Sequence, residues 1–171
     1  QNKYNYNITI LDYLRRIRKK TALLFGLSMY LGASESGLEG KNLYHLYNFG
    51  LEMGMAFQIE DDLLDFTGDS DVIGKKIGQD LETGIYTLPV VMLLEEEKYH
   101  KKVVSILKDE NPDKRKEEII DLINEANTIE KSRKMAAKFI KKARFHLNML
   151  PDNRTKKMML KIMNKQLNRR Y

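Results

Sequence analysis

The side chains of this 171-residue chain best equipped for chemistry lie in one run, Phe57-Gln58-Ile59-Glu60-Asp61-Asp62-Leu63-Leu64-Asp65. On a helix, Asp61 and Asp65 share one face, and Asp62 is turned about 100° away from Asp61. Like charges at that spacing repel and weaken an isolated helix. Leu63 and Leu64 lie among them, so the carboxylates sit beside an apolar face and need neutralising. Hard divalent cations do this through oxygen ligands, and Mg2+ takes one or two carboxylates together with waters and substrate phosphates. A surface patch answered by Lys and Arg is the plainer alternative.

Opposite charge stands on both sides of the run. Downstream, Gly74-Lys75-Lys76-Ile77-Gly78-Gln79-Asp80 sets cations in a glycine-permitted turn, where an ammonium beside a metal can hold a diphosphate. Upstream, Lys20-Thr21 puts a cation beside a hydroxyl, although Lys20 also fits the solvated basic stretch that begins at Arg15. Asp69, Asp71 and Gly74 begin to resemble a calcium loop. Ile73 and Asp80 stand where that loop needs a ligand and a bidentate Glu, which argues against it. His45, His100 and His146 are scattered, with no metal-ligand partners at helical spacing. No Ser/His/Asp arrangement and no phosphate-binding P-loop is visible.

The elements that must position these residues read as helices. Ile10, Leu14, Ile17, Leu24, Leu27 and Leu31 recur at three- and four-residue steps, as do Leu43, Leu46, Phe49, Met53, Phe57 and Leu64. The expected helices are 8–32, 41–66, 89–108, 113–126, 129–149 and 152–169, with Pro89, Pro112 and Pro151 in first turns. Gly50 and Gly54 lie one turn apart, a spacing that lets a neighbouring helix come close. Gly68, Gly74, Gly78 and Gly84 break the pattern over 67–87, a loop long enough to be functional. No alternating strand is evident, and the expected class is all-α. No apolar run reaches the ~20 residues of a membrane helix, and the polar residues 1–7 are unlike a secretory signal. A start at Gln suggests a processed chain or a fragment.

Composition agrees with an acidic centre. The chain carries 30 Lys+Arg against 24 Asp+Glu, a net +6. Residues 51–100 hold 3 basic and 12 acidic side chains, whereas 101–150 hold 13 and 8. With no Cys, disulfides, thiolate zinc sites and cysteine nucleophiles are excluded. A nucleic-acid module, suggested by the net charge, is disfavoured by this segregation.

Four ordered motifs resemble the all-trans polyprenyl diphosphate synthases over essentially the whole chain. The run 57–65 is similar to that family's second aspartate-rich motif. Lys20-Thr21-Ala22 with Gly32-Ala33 resembles its KTA…GA helix. Gly74-Lys75, Gly78, Asp80-Leu81 and Thr87-Leu88-Pro89 resemble its GKxxGxDLxxGKxTLP loop. Leu150-Pro151 with Arg154, and the ending Arg169-Arg170-Tyr171, also match.

The resemblance implies the C-terminal half of a single isoprenoid-synthase helical bundle spanning 1–171. It implies elongation of an allylic prenyl diphosphate by isopentenyl diphosphate with Mg2+. Asp61, supported by Asp62 and Asp65, would bind the metal, and Lys20 and Lys75 would hold the allylic diphosphate. Thr21 and Gln58 would face the developing allylic cation, with Phe57 among the substrate-binding residues. Two departures stand out. Ile85 replaces the third Lys of many one-piece relatives, a substitution similar to catalytic subunits of two-component medium-chain synthases such as heptaprenyl diphosphate synthase. The family's first DDxxD motif is absent, so the chain is expected to be inactive without an N-terminal half. Also implied are a cytoplasmic enzyme of quinone side-chain (menaquinone) synthesis, a homodimer or a heteromer with a small regulatory subunit, and at most peripheral membrane contact. A non-catalytic helical partner-binding subunit is the alternative.

Overall fold

The computed structural model describes residues 3–67 and 79–167. Among these residues every regular element is helical, as expected. Helix α1 (Ile10–Ile17) passes through a π-helical turn (Arg18–Ala22) into α2 (Leu23–Glu35). There follow α3 (Gly40–Thr67), α4 (Gln79–Glu82), α5 (Leu88–Glu95), α6 (Glu97–Leu107), α7 (Pro112–Glu125), α8 (Thr128–Asn148) and α9 (Arg154–Leu167). The chain divides into two compact units. One comprises Gln1–Leu14 and Ile59–Arg133, the other Arg15–Gln58 and Lys134–Tyr171. No helix among the described residues is long and apolar enough to cross a membrane.

In the first unit, Thr9 and Asp12 form a reciprocal cap that starts α1. The Thr9 hydroxyl donates to Asp12 Oδ2 at 2.7 Å, and the Asp12 amide donates back to Thr9 Oγ1 at 3.1 Å. Helices α5, α6 and α7 pack on one another. Leu88, Val90, Val91, Leu93 and Leu94 bury α5 on nearly all sides, against Val103, Ile106, Ile119, Leu122 and Ile123 of the same core. The single helix expected over 89–108 is two. Glu96 is extended (φ −86°, ψ 114°) and separates them. Three successive glutamates repel there, and α5 is buried on nearly all sides whereas α6 is buried on one. His100 Nδ1 lies 2.6 Å from the Leu94 carbonyl, which can only accept, so this nitrogen carries the proton and satisfies the end of α5. The turn after α4 contains Gly84 (φ +73°), where a Cβ would lie 2.7 Å from the Tyr4 ring.

In the second unit, α2 runs past Gly32, where the sequence pattern places its end. The stop is at Gly37 (φ +77°), where the Leu38 amide donates to the Ala33 carbonyl at 3.0 Å and the Gly37 amide to Ser34 at 2.9 Å. Gly50 and Gly54 do permit close packing. A Cβ at Gly50 would lie 2.6 Å from the Phe25 carbonyl oxygen, and one at Gly54 2.7 Å from Ala22 Cα. Phe49, Met53 and Ala56 of α3 pack with Ile140, Ala143 and Leu147 of α8 and Met163 of α9. Pro89 and Pro112 occupy first turns, but Pro151 does not. Helix α9 starts at Arg154, because Asn153 Oδ1 accepts from the Lys156 amide at 2.8 Å and supplies the cap.

Candidate active site

The acidic run closes α3, a helix of 28 residues. Asp61 is exposed, Asp65 half-buried and Asp62 buried, at 8% exposure. Asp62 Oδ2 accepts a hydrogen bond from the Tyr13 hydroxyl of α1 at 2.8 Å. Tyr13 itself is fully buried. The half-buried Glu60 beside them has its carboxyl raised above the ordinary range by burial, an effect opposed by Arg133. The three aspartates thus face differently, and among the described residues no three His, Cys, Asp or Glu side chains converge as a ready metal cage. Exposed Asp61 with half-buried Asp65 on the same helix face still suits Mg2+, which is held by one or two carboxylates with waters and phosphates rather than by an all-protein cage.

The second unit brings together Thr21 and Gln58. The Thr21 hydroxyl donates to Gln58 Oε1 at 2.5 Å, and Gln58 is 4% exposed. Thr21 has one proton, and this bond uses it, so the rest of its oxygen surface is lone pair. Such a dipole favours positive charge nearby. Thr21 and the exposed Lys20 both stand on the π-helical turn, the kind of local widening that recurs at functional positions. Gly54 against Ala22 allows the turn to lie close on α3. Phe57 is half-buried, and its ring packs on Phe25 with centroids 5.4 Å apart.

Other expected positions fall elsewhere. Lys75, with Gly74, Lys76 and Gly78, and the ending Arg169-Arg170-Tyr171 lie outside the described residues. Ile85 follows the turn that ends α4, its amide donating to the Asp80 carbonyl at 3.1 Å. The three histidines are not all isolated. His45 Nδ1 and His146 Nδ1 meet across α3 and α8 at 3.1 Å. The sequence pattern did not single out Tyr13, which stands between Ile10 and Leu14 of the apolar stripe. The available signal was a phenol among aliphatics, since a buried tyrosine needs a polar partner. It also missed the π turn, which no residue pattern announced.

The family model described as Polyprenyl synthetase matches residues 1–124. The chain belongs to the polyprenyl synthetase family. It is 39% identical over 156 residues to "Heptaprenyl diphosphate synthase component 2" of Bacillus subtilis (strain 168), covering 91% of this chain and 44% of that protein. Its fold matches the crystal structure of a heptaprenyl diphosphate synthase from Staphylococcus aureus with a TM-score of 0.92 at 34% identity, covering 100% of this chain and 54% of the other. A polyprenyl synthase from Caulobacter crescentus, solved with calcium and isoprenyl diphosphate, matches with a TM-score of 0.85 at 26% identity over 100% of this chain and 53% of that one. The chain therefore spans about half the length of the polyprenyl synthetases it matches. The all-α helical fold of these relatives is the fold seen here.

Proposed function

We propose that this chain is the C-terminal half of a chain-elongating prenyltransferase that condenses isopentenyl diphosphate with an allylic prenyl diphosphate. The observation that carries the reading is the hydrogen bond from half-buried Thr21 to buried Gln58, which belongs to the same long helix as the acidic run. Elongation ionises the allylic carbon–oxygen bond, so positive charge grows on carbon and negative charge on the departing diphosphate. Thr21, its proton committed to Gln58, turns lone pairs to the first, a preorganised electrostatic contribution. Lys20 and Lys75 bind the second as cations. Asp61 and Asp65, four residues apart on α3, are the residues that would hold Mg2+. When bound, Mg2+ supplies neutralisation of the leaving diphosphate.

The 39% identity to a component 2 favours a medium-chain, heptaprenyl-type product for quinone side chains. It also favours a small second subunit over a homodimer. A cytoplasmic enzyme touching the membrane only at its surface completes the reading. The test is Asp61→Ala in a complete synthase containing this chain. Turnover is expected to fall by orders of magnitude, and near-normal turnover would remove Asp61 from the metal-binding role.

A further inference from the structure

The end of the second unit carries a strongly one-sided charge. From Lys134 to Tyr171 there are 12 Lys+Arg and one acid, Asp152, and Asp152 is already paired with Lys156 at 2.8 Å. Helices α8 and α9 pack together beneath this charge. Met163 lies in one core with Ala143 and Leu147, and Arg144 donates to Asn164 Oδ1 at 2.6 Å. Away from that core, α9 turns a second apolar pair outward. Met158 and Ile162, one turn apart, are 55% and 64% exposed, whereas Met163 is 0% exposed. Lys161 and Lys165, three residues beyond each, are exposed in the same sector of the helix. The pattern repeats at the end of α8, where Phe145 and Met149 are 57% and 55% exposed beside exposed Lys138 and Lys141. Apolar side chains exposed singly need no explanation. Pairs at i, i+4 set among lysines on two packed helices do need one.

The residue types discriminate between the partners that such a surface could take. Protein interfaces are depleted in lysine, which disfavours a protein. Nucleic acid answers the charge through its phosphates but has no use for Met158 and Ile162. A lipid surface uses both: apolar tips enter the boundary below the headgroups, and lysine stems lie along them while the ammonium groups stay at the phosphates. We infer that the outward faces of α8 and α9 dock on an anionic lipid bilayer, with Met158, Ile162, Phe145 and Met149 entering it and the neighbouring lysines binding headgroup phosphate. Helix α9, of 14 residues, lies on the bilayer and does not cross it. The inference deepens the surface contact of the prenyltransferase reading and rests on that reading for its use, since an elongated prenyl tail is apolar and a bilayer against the enzyme receives it.

The experiment uses a complete synthase containing this chain, co-sedimented with phosphatidylcholine vesicles with and without about one third phosphatidylglycerol. Binding is expected on the anionic vesicles, is expected to weaken as salt is raised, and is expected to be nearly lost on phosphatidylcholine alone. The double variant Lys161→Gln, Lys165→Gln should bind anionic vesicles at least tenfold more weakly. Met158→Ser with Ile162→Ser should also weaken binding about tenfold, but with the salt dependence unchanged. All four side chains are exposed, so both variants should keep the unmodified Tm and the unmodified rate of elongation in vesicle-free buffer. No binding to anionic vesicles by the unmodified enzyme overturns the inference, as does binding that survives both double variants. If the lysine variant weakens binding and the Met158, Ile162 variant does not, the face is a bare polyanion site and the inference is again overturned. An unmodified enzyme that elongates nothing defeats the functional reading, while the vesicle measurements still decide this one.

Discussion

Three glycines of the second unit make a sharp test, because the same substitution is expected to have opposite signs at two of them. A Cβ at Gly54 would lie 2.7 Å from Ala22 Cα and 3.1 Å from Phe25 Cβ. Carbon atoms prefer about 3.5–4.0 Å, so α3 and the π-helical turn would have to separate by roughly 1 Å. Overpacking of this kind costs about 1–3 kcal/mol. Because the obstacle is backbone, the upper part of that range applies. Replacing a helical Gly by Ala returns about 1 kcal/mol of helix propensity. The net for Gly54→Ala is a loss of about 1–2 kcal/mol, or a Tm lowered by about 2–8 °C for a chain of this size. Gly50→Ala, 2.6 Å from the Phe25 carbonyl oxygen, should behave likewise. At Gly32 a Cβ meets nothing within 4 Å, so only the propensity gain remains and Tm should rise by about 2–4 °C. Thermal unfolding followed by circular dichroism at fixed scan rate reads all three. If Gly54→Ala stabilises as much as Gly32→Ala, the two helices are not in close contact and the placement of Thr21 against α3 is wrong.

Three further outcomes follow from the same structure. Thr21→Val should leave buried Gln58 Oε1 without its donor, costing about 1–3 kcal/mol in urea unfolding, and should lower elongation by about 10²-fold. Thr21→Ser should restore most of both, and an inert Thr21→Val would deny the pair its role. Burial, and then the neighbouring His45, push the His146 imidazole below its usual range. The unfolded chain therefore takes up that proton first as pH falls below about 6.5. The contribution is fully present above that value and is lost as pH drops through the lowered folded-state value. Unfolding midpoints between pH 7.5 and 5.5 should decline, less so in His146→Gln, and an unchanged slope in that variant would contradict this. Asn111 Oδ1 accepts from the Asp113 and Lys114 amides at 3.1 and 3.2 Å, so Asn111→Ala should cost about 1 kcal/mol by chemical denaturation, with no effect on elongation.

Much of this architecture is visible in the residues. Period-3.6 stripes expose the long helices, because a one-sided apolar face is what a helix must bury. Pro112 behind Asn111 and Pro89 behind Thr87 mark starts, since proline suits a first turn. The break at Glu96 escapes the pattern because α5 is apolar on nearly all sides and α6 on one, and periodicity does not register a single extended residue between them. Gly32 misleads and the helix stops at Gly37, because only the second takes positive φ, which residue type alone does not decide. At the candidate site, the carboxylate run of Asp61, Asp62 and Asp65 is legible from type and spacing, whereas the roles of Thr21 and Gln58 come from the family resemblance. Tyr13 is not legible, since its partner is 49 residues away.

The central claim is that these residues are one half of a polyprenyl-elongating site. It is tested most directly by incubating radiolabelled isopentenyl diphosphate, an allylic diphosphate and Mg2+ with the 171-residue chain alone and with a complete synthase containing it, and separating products by chain length. Polyprenyl products from the complete enzyme and none from the isolated chain are predicted. Robust elongation by the isolated chain, or none by the complete enzyme, would contradict the account.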